Sequence, residues 1–117
     1  SFHGGDATAP PPLAFFVGSL TGCIMTQIRA FSKRMGVQLN DLHVNTKVQW
    51  NWTAMGKIYE TAPKSFEIDV MIDSNNSIDE VKELVAAAKK GCFIEQTLGQ
   101  KNSISHRIKT KTGWENV

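Results

Sequence analysis

The sequence lacks the features that would assign it at once to a membrane or a nucleic acid. Its most apolar stretch, Leu13 to Met25, has roughly half the length of a bilayer crossing and is interrupted by small polar residues. No basic n-region precedes that stretch, so the pattern is not a secretory signal. The net charge is only +2, with the basic residues scattered along the chain. These observations predict a protein without a membrane or nucleic-acid partner.

Cysteine and histidine are also scarce. The two cysteines, Cys23 and Cys92, cannot form a disulfide framework. The three histidines, His3, His43 and His106, show no metal-ligand spacing with them, so neither a metal nor a cofactor is expected. A Cys–His nucleophile pair remains open, although no spacing supports it. Two thiols in a cytoplasmic protein are usually buried, and less often they form a redox or metal pair.

The 117 residues suit one domain, residues 1–117, that is large enough to bury a core. Residues 1–12 are predicted to form an irregular entry, because three consecutive prolines exclude a helix until they end. A long helix is predicted over Leu13 to Met35, where apolar residues recur at steps of three and four. Its first half is apolar nearly all round and is expected to be buried, and Gly36 is expected to stop it.

Two alternating segments follow, Leu42 to Trp52 and Lys64 to Asp73, and each predicts a half-buried strand. Trp50 and Trp52 lie on the apolar side, so core packing is favoured over nucleobase stacking. His43 lies on the opposite, solvent-facing side. Residues 53–63 are too many for a tight hairpin, and some of them are expected to extend one strand.

Ser77 and Glu80 form a capping box that predicts a second helix, which Gly91 ends. Cys92 to Leu98 indicates a short helical segment. A last strand is predicted over Ser103 to Thr110, with His106 on the same, buried face as two isoleucines. The order helix, strand, strand, helix, strand predicts an α+β fold in which the helices cover one face of an antiparallel sheet.

The two cysteines occupy different settings. Cys23 lies in the apolar half of the first helix, and small neighbours such as Gly22 allow another element to approach its sulfur. Cys92 follows Gly91 and opens a short helix, where backbone N–H groups favour a thiolate. The alternatives are that Cys23 only fills space in the core and that Cys92 is an unreactive turn residue.

Two longer runs resemble the OsmC/Ohr family. Residues 4–36, GGDATAPPPLAFFVGSLTGCIMTQIRAFSKRMG, contain a glycine pair, a proline and a long helix with a cysteine eleven positions after the proline, here Pro12 and Cys23. Residues 88–98, AKKGCFIEQTL, are similar to the family's second cysteine motif. Both motifs occur in the family's order, and the strands between and after them also fit.

The resemblance implies an intertwined homodimer with its active sites near the subunit interface. It also implies a thiol peroxidase that reduces organic hydroperoxides: Cys23 attacks the peroxide, and Cys92 resolves the sulfenic acid to a disulfide. A dithiol reductant then resets the pair. Peroxidase members carry a glutamate one or two positions after the helix-start proline, where this chain has Leu13 and Ala14. They also carry an arginine on N-terminal strands that are expected to lie outside this sequence.

Three functions therefore stay open. The first is the thiol peroxidase. The second is an OsmC-like redox or small-ligand-binding domain without peroxidase turnover, which the missing carboxylate favours. The third is a structural or interaction domain with inert cysteines. The sequence leaves open the substrate, the reductant and the source of the missing arginine.

Overall fold

The computed structural model describes residues 11–117, so most of the predicted entry segment, with His3, lies outside the described part. Helix α1 spans Pro12–Met35. It begins with proline at the first turn and ends at Gly36, whose φ of 69° and backbone N–H bonded to the Ser32 carbonyl close the helix. The predicted helix and its stop are both confirmed.

Strands β1 (Asp41–Met55) and β2 (Ile58–Asp73) form an antiparallel ribbon. The two strands are longer than predicted, because residues 53–63 extend both of them rather than forming a loop. The turn between them needs only two residues, and Gly56 supplies the positive φ of 63° that such a turn requires. Pro63 lies opposite Trp50, next to a bulge that shifts the register. Proline has no backbone N–H, and a bulge tolerates the missing hydrogen bond.

Helix α2 spans Ile78–Gly91 and begins with the predicted capping box, in which the Ser77 hydroxyl accepts from the Glu80 backbone N–H. Helix α3 follows at Phe93–Leu98. The last strand is shorter than predicted: β3 covers Arg107–Thr110 and pairs with β4, Gly113–Asn116, in the tail where no strand was expected. His106 is exposed, so its prediction as a core residue is wrong.

The core lies between α1, α2 and the first half of the β1–β2 ribbon. It is built from Ile24, Ile28, Val37, Leu42, Val44, Leu84, Ala88 and Cys92. On α1 the buried positions recur every four residues, and on α2 Leu84 and Ala88 do the same. One stripe on each helix therefore faces the other helix, and the even positions of β1 close the core, as their alternation predicted. His43 is exposed, also as predicted.

The single chain leaves much apolar surface uncovered. Leu13 and Phe15 in the first half of α1 are more than half exposed, which contradicts the expectation that this half is buried. Trp52, predicted for the core, is 54% exposed, whereas Trp50 is half-buried and its ring centroid lies 6.1 Å from that of Phe16 on α1. The radius of gyration is 19.3 Å, against about 13 Å for a compact domain of similar length. The apolar side chains at these positions are therefore more exposed than their pattern predicted.

Candidate functional site

The two cysteines meet although they are 69 positions apart. Cys23 lies midway along α1, beside the buried position Ile24, and is partly buried. Cys92 lies four residues after Ala88, so it continues the buried stripe of α2 into the α2–α3 junction, where it is fully buried. The two Sγ atoms are 2.9 Å apart, and both thiols are free. The structure therefore brings the two cysteine motifs together at one place in the fold.

The hydrogen bonds give the two sulfurs different environments. The Cys92 thiol donates to the Cys23 Sγ at 2.9 Å, and the Cys92 Sγ accepts from the Glu95 backbone N–H at 3.4 Å. Cys23 is thus the acceptor of this hydrogen bond. Cys92 is the N-cap of α3 and at the same time the proton donor to its partner.

The pKa of Cys92 is raised, first by burial and then by the hydrogen bond to Cys23, while the Glu95 N–H opposes the rise. The sequence had predicted the opposite, namely that a thiol at a helix start would be acidic. Burial decides the outcome, because removing a thiolate from water costs more than one backbone N–H returns. The sequence did carry a signal for the burial of Cys92, namely the four-residue spacing from Leu84 to Ala88 to Cys92.

An apolar cavity of about 580 Å³ lies next to the pair, between α1, α2, α3 and β2. Its walls include Leu20, Ile24 and Phe66, and Glu95 lines it as well. The Glu95 Oε2 atom is buried and has no hydrogen-bond partner among the described residues. Sequence reasoning missed Glu95, because nothing about its position in a six-residue helix indicates that its carboxylate faces an apolar cavity.

A second cavity, of about 460 Å³, lies on the other side of the α2–α3 junction. Cys92 lines it together with polar residues such as Gln96 and Asn102. Neither cavity is lined by Cys23. Within residues 11–117 no group of three or more His, Cys, Asp or Glu side chains could hold a metal ion.

Comparisons with known proteins identify the family. A sequence model of the family of OsmC-like proteins matches residues 4–109, and the chain therefore belongs to the OsmC-like family. An OsmC-like hydroperoxide resistance protein from Jannaschia sp. CCS1 is 53% identical, with a TM-score of 0.91 over 97% of this chain and 75% of that one. The family thus suggests a redox role related to peroxides.

More distant structures share the fold. An OsmC-like protein from Mycoplasma pneumoniae is 22% identical, with a TM-score of 0.68 over 81% of this chain and 67% of that one. An organic hydroperoxide resistance protein, OsmC, from Legionella pneumophila is 20% identical, with a TM-score of 0.63 over 83% and 67%. No curated protein matches the chain. These likenesses confirm the predicted α+β fold with antiparallel strands.

The length and apolarity of α1 differ from what the sequence predicted, namely that no segment is long enough to span a membrane. By length and composition alone, α1 is long and apolar enough to cross a membrane. The whole of α1, which has 24 residues, reaches the length of a membrane span, whereas the stretch from Leu13 to Met25 does not. Because the likeness to the Jannaschia protein covers nearly the whole chain, α1 is the long helix of an OsmC-like fold, and its buried stripe packs against α2 and β1.

Proposed function

We propose that this domain, residues 1–117, is a thiol-dependent peroxidase that reduces organic hydroperoxides through Cys23 and Cys92. The observation that carries the proposal is the 2.9 Å contact in which Cys92 donates to Cys23. The family assignment and the hydroperoxide resistance named for the 53%-identical relative support the same chemistry. Free thiols are kept reduced in the cytoplasm, and we place the protein there.

The cycle has three steps. The Cys23 thiolate attacks the terminal oxygen of the hydroperoxide, the O–O bond breaks, and the leaving alkoxide takes up a proton to give an alcohol. Cys23 is then a sulfenic acid. The Cys92 sulfur attacks the Cys23 sulfur, a disulfide forms, and the hydroxyl leaves with a proton as water. A dithiol reductant transfers two electrons and two protons to the disulfide and restores both thiols.

The geometry supports a division of roles within the pair. Cys23 accepts the hydrogen bond and is partly exposed, so an incoming peroxide can reach it. Cys92 is fully buried and held protonated by its raised pKa, which suits a thiol that acts second. Because the two sulfurs already touch, only a small movement is needed for the disulfide.

We also propose that the active unit is a homodimer. Large apolar side chains remain exposed in two places, the first half of α1 and the far part of the β1–β2 ribbon. Both belong to strongly apolar patterns that a monomer would be expected to bury. A second copy of the chain would cover both surfaces and would explain the elongated shape of the single chain.

The test is peroxide consumption with cumene hydroperoxide and a dithiol, for the wild type and for Cys23→Ser. The wild type is expected to turn over many times per chain, and Cys23→Ser should show only the uncatalysed rate. Because Cys23 is partly exposed, serine there leaves the fold intact, which circular dichroism verifies. A wild type without turnover, or a Cys23→Ser variant as fast as the wild type, would contradict the proposal.

A second candidate is a domain that binds a small ligand without peroxidase turnover. Two observations favour it: Glu95 lines the apolar cavity, and its buried Oε2 atom calls for a donor that the described residues do not provide. The fitting ligand has an apolar body and one hydroxyl or amine donor. The test is calorimetric titration of octanol into a Cys23→Ser/Cys92→Ser variant. This variant has no thiols, so the measured heat reports binding alone. Glu95→Gln should weaken the binding several-fold, and unchanged binding would remove this candidate.

A further inference from the structure

Gly91, the last residue of α2, lies directly against α1. A Cβ atom at Gly91 would come within 2.8 Å of both Cε2 and Cζ of the Phe31 ring and within 3.3 Å of Oε1 of Gln27. Non-bonded carbon atoms prefer about 3.5–4.0 Å. The backbone at Gly91 does not require glycine, because α2 runs through it and its φ is not positive. Alanine would be the better helix former, so the close approach is what calls for glycine here.

The contacts of Gly91 fall on the face of α1 that carries Cys23. Gln27 is one turn after Cys23, and Phe31 is one turn further. On the other side of the contact, Gly91 is bonded directly to Cys92. An atom added at Gly91 therefore presses against side chains of the same stretch of α1 that brings the Cys23 sulfur to 2.9 Å from Cys92.

We propose that Gly91 is a positioning residue that sets the distance between Cys23 and Cys92 by letting α2 pack without a Cβ atom against Phe31. This inference rests on the proposed two-thiol chemistry. A methyl group at Gly91 must move the Phe31 ring or the helix by about 0.7 Å to reach a normal carbon contact. Phe31 cannot turn away freely, because it packs against the core and the Arg34 guanidinium lies 5.8 Å from its ring centroid.

The step that depends on this distance is the resolution of the Cys23 sulfenic acid. The Cys23 S–O bond breaks, the Cys23–Cys92 S–S bond forms, and the hydroxyl leaves with the Cys92 proton as water. The oxidant is the hydroperoxide consumed in the preceding step. If Cys92 is held too far away, a second hydroperoxide oxidises the sulfenic acid to sulfinic acid instead.

The first experiment measures the Cys23–Cys92 disulfide at equilibrium in glutathione buffers, which requires no peroxidase activity. We expect Gly91→Ala to lower the equilibrium constant for the disulfide at least about tenfold, since disulfide geometry tolerates little displacement. Phe31→Leu/Gly91→Ala removes the ring atoms that the added methyl group meets, and it should return within about threefold of the wild type. Gly22→Ala is the matched control, because a Cβ there meets nothing within 4 Å and lies next to Cys23.

A Gly91→Ala variant with the wild-type equilibrium would overturn the proposal, and so would a folded double variant that does not recover. If Gly91→Ala fails to fold, the test passes to the double variant, which still carries the added Cβ atom. That variant must fold and form the Cys23–Cys92 disulfide with a near-wild-type equilibrium constant. The second experiment adds organic hydroperoxide and measures, by mass spectrometry, how much Cys23 ends as sulfinic acid. Gly91→Ala should raise this fraction, and Gly22→Ala should not. A wild type that forms the disulfide in glutathione but not with peroxide would contradict the peroxidase function and leave the role of Gly91 standing.

Discussion

Cys92→Ser separates the chemistry of the second sulfur from its structural role. In the proposed cycle the variant can still form the Cys23 sulfenic acid, but it cannot form the disulfide. One equivalent of organic hydroperoxide should therefore add one oxygen atom to the variant, and a second equivalent should add another as Cys23 reaches the sulfinic acid. The wild type under the same conditions should lose two hydrogen atoms.

The structure indicates that this substitution leaves the fold almost unchanged. Cys92 is fully buried and accepts from the Glu95 N–H as the N-cap of α3. Serine is among the best N-cap residues, and its hydroxyl can also donate to the Cys23 sulfur, so no buried polar atom is left unpaired. We expect the free energy of unfolding to change by less than about 1 kcal/mol. Cys92→Ala, which loses the cap and leaves a small cavity, should cost about 1–2 kcal/mol more.

Intact-protein and peptide mass spectrometry measure the products after each equivalent, without any reductant that could reduce the sulfenic acid directly. Chemical denaturation of both variants measures the stability. The assignment of roles is refuted if Cys92 of the wild type gains oxygen while Cys23 stays a free thiol. It is also refuted if Cys92→Ser forms no oxidised Cys23 while it remains folded.

Three further predictions follow from burial and exposure. The raised pKa keeps Cys92 protonated near neutral pH. The rate of disulfide formation should therefore rise about tenfold per pH unit between roughly pH 6 and 8. A rate, measured by stopped flow, that levels off below about pH 7 would contradict this. Leu84→Ala should lower the free energy of unfolding in urea by about 3 kcal/mol, because Leu84 is fully buried, whereas the control Phe93→Ala, at an 80% exposed position, should change it by less than about 0.5 kcal/mol. Light scattering at micromolar concentration should show a dimer, whose interface we expect to bury well over roughly 2,000 Å², and a stable monomer would refute it.

The sequence predicted the elements whose causes are local. The start of α1 at the prolines, its end at Gly36 and the capping box of α2 depend on residues within one helical turn, and all three are found. The extent of the ribbon was not predicted, because Gly56 alone marks the two-residue turn and Pro63 interrupts the segment that continues the strand. The β4 strand was missed for a similar reason: a four-residue strand has too few positions to show a period.

The site required information that no single segment carries. Each cysteine alone fits a core residue, and their proximity follows from how the buried stripe of α1 packs on that of α2. The raised pKa of Cys92 illustrates this dependence. The helix start and the four-residue spacing from Ala88 to Cys92 were both visible in the sequence, but only the packed structure decides that burial outweighs the Glu95 N–H in setting the pKa.

The exposed first half of α1 shows what a hydrophobic pattern specifies. The pattern records that a surface is removed from water, but it does not record which chain removes it. Within α1 the buried stripe begins at Leu20, and Leu13 and Phe15, which precede it, are more than half exposed, although Phe16 beside them packs against the ribbon. Trp52 and Ile58 repeat the situation in the ribbon, at the end furthest from the core. Two separate elements therefore break the same expectation in the same direction. The proposed homodimer would cover both surfaces, which is why a single oligomeric-state measurement tests both exposures at once.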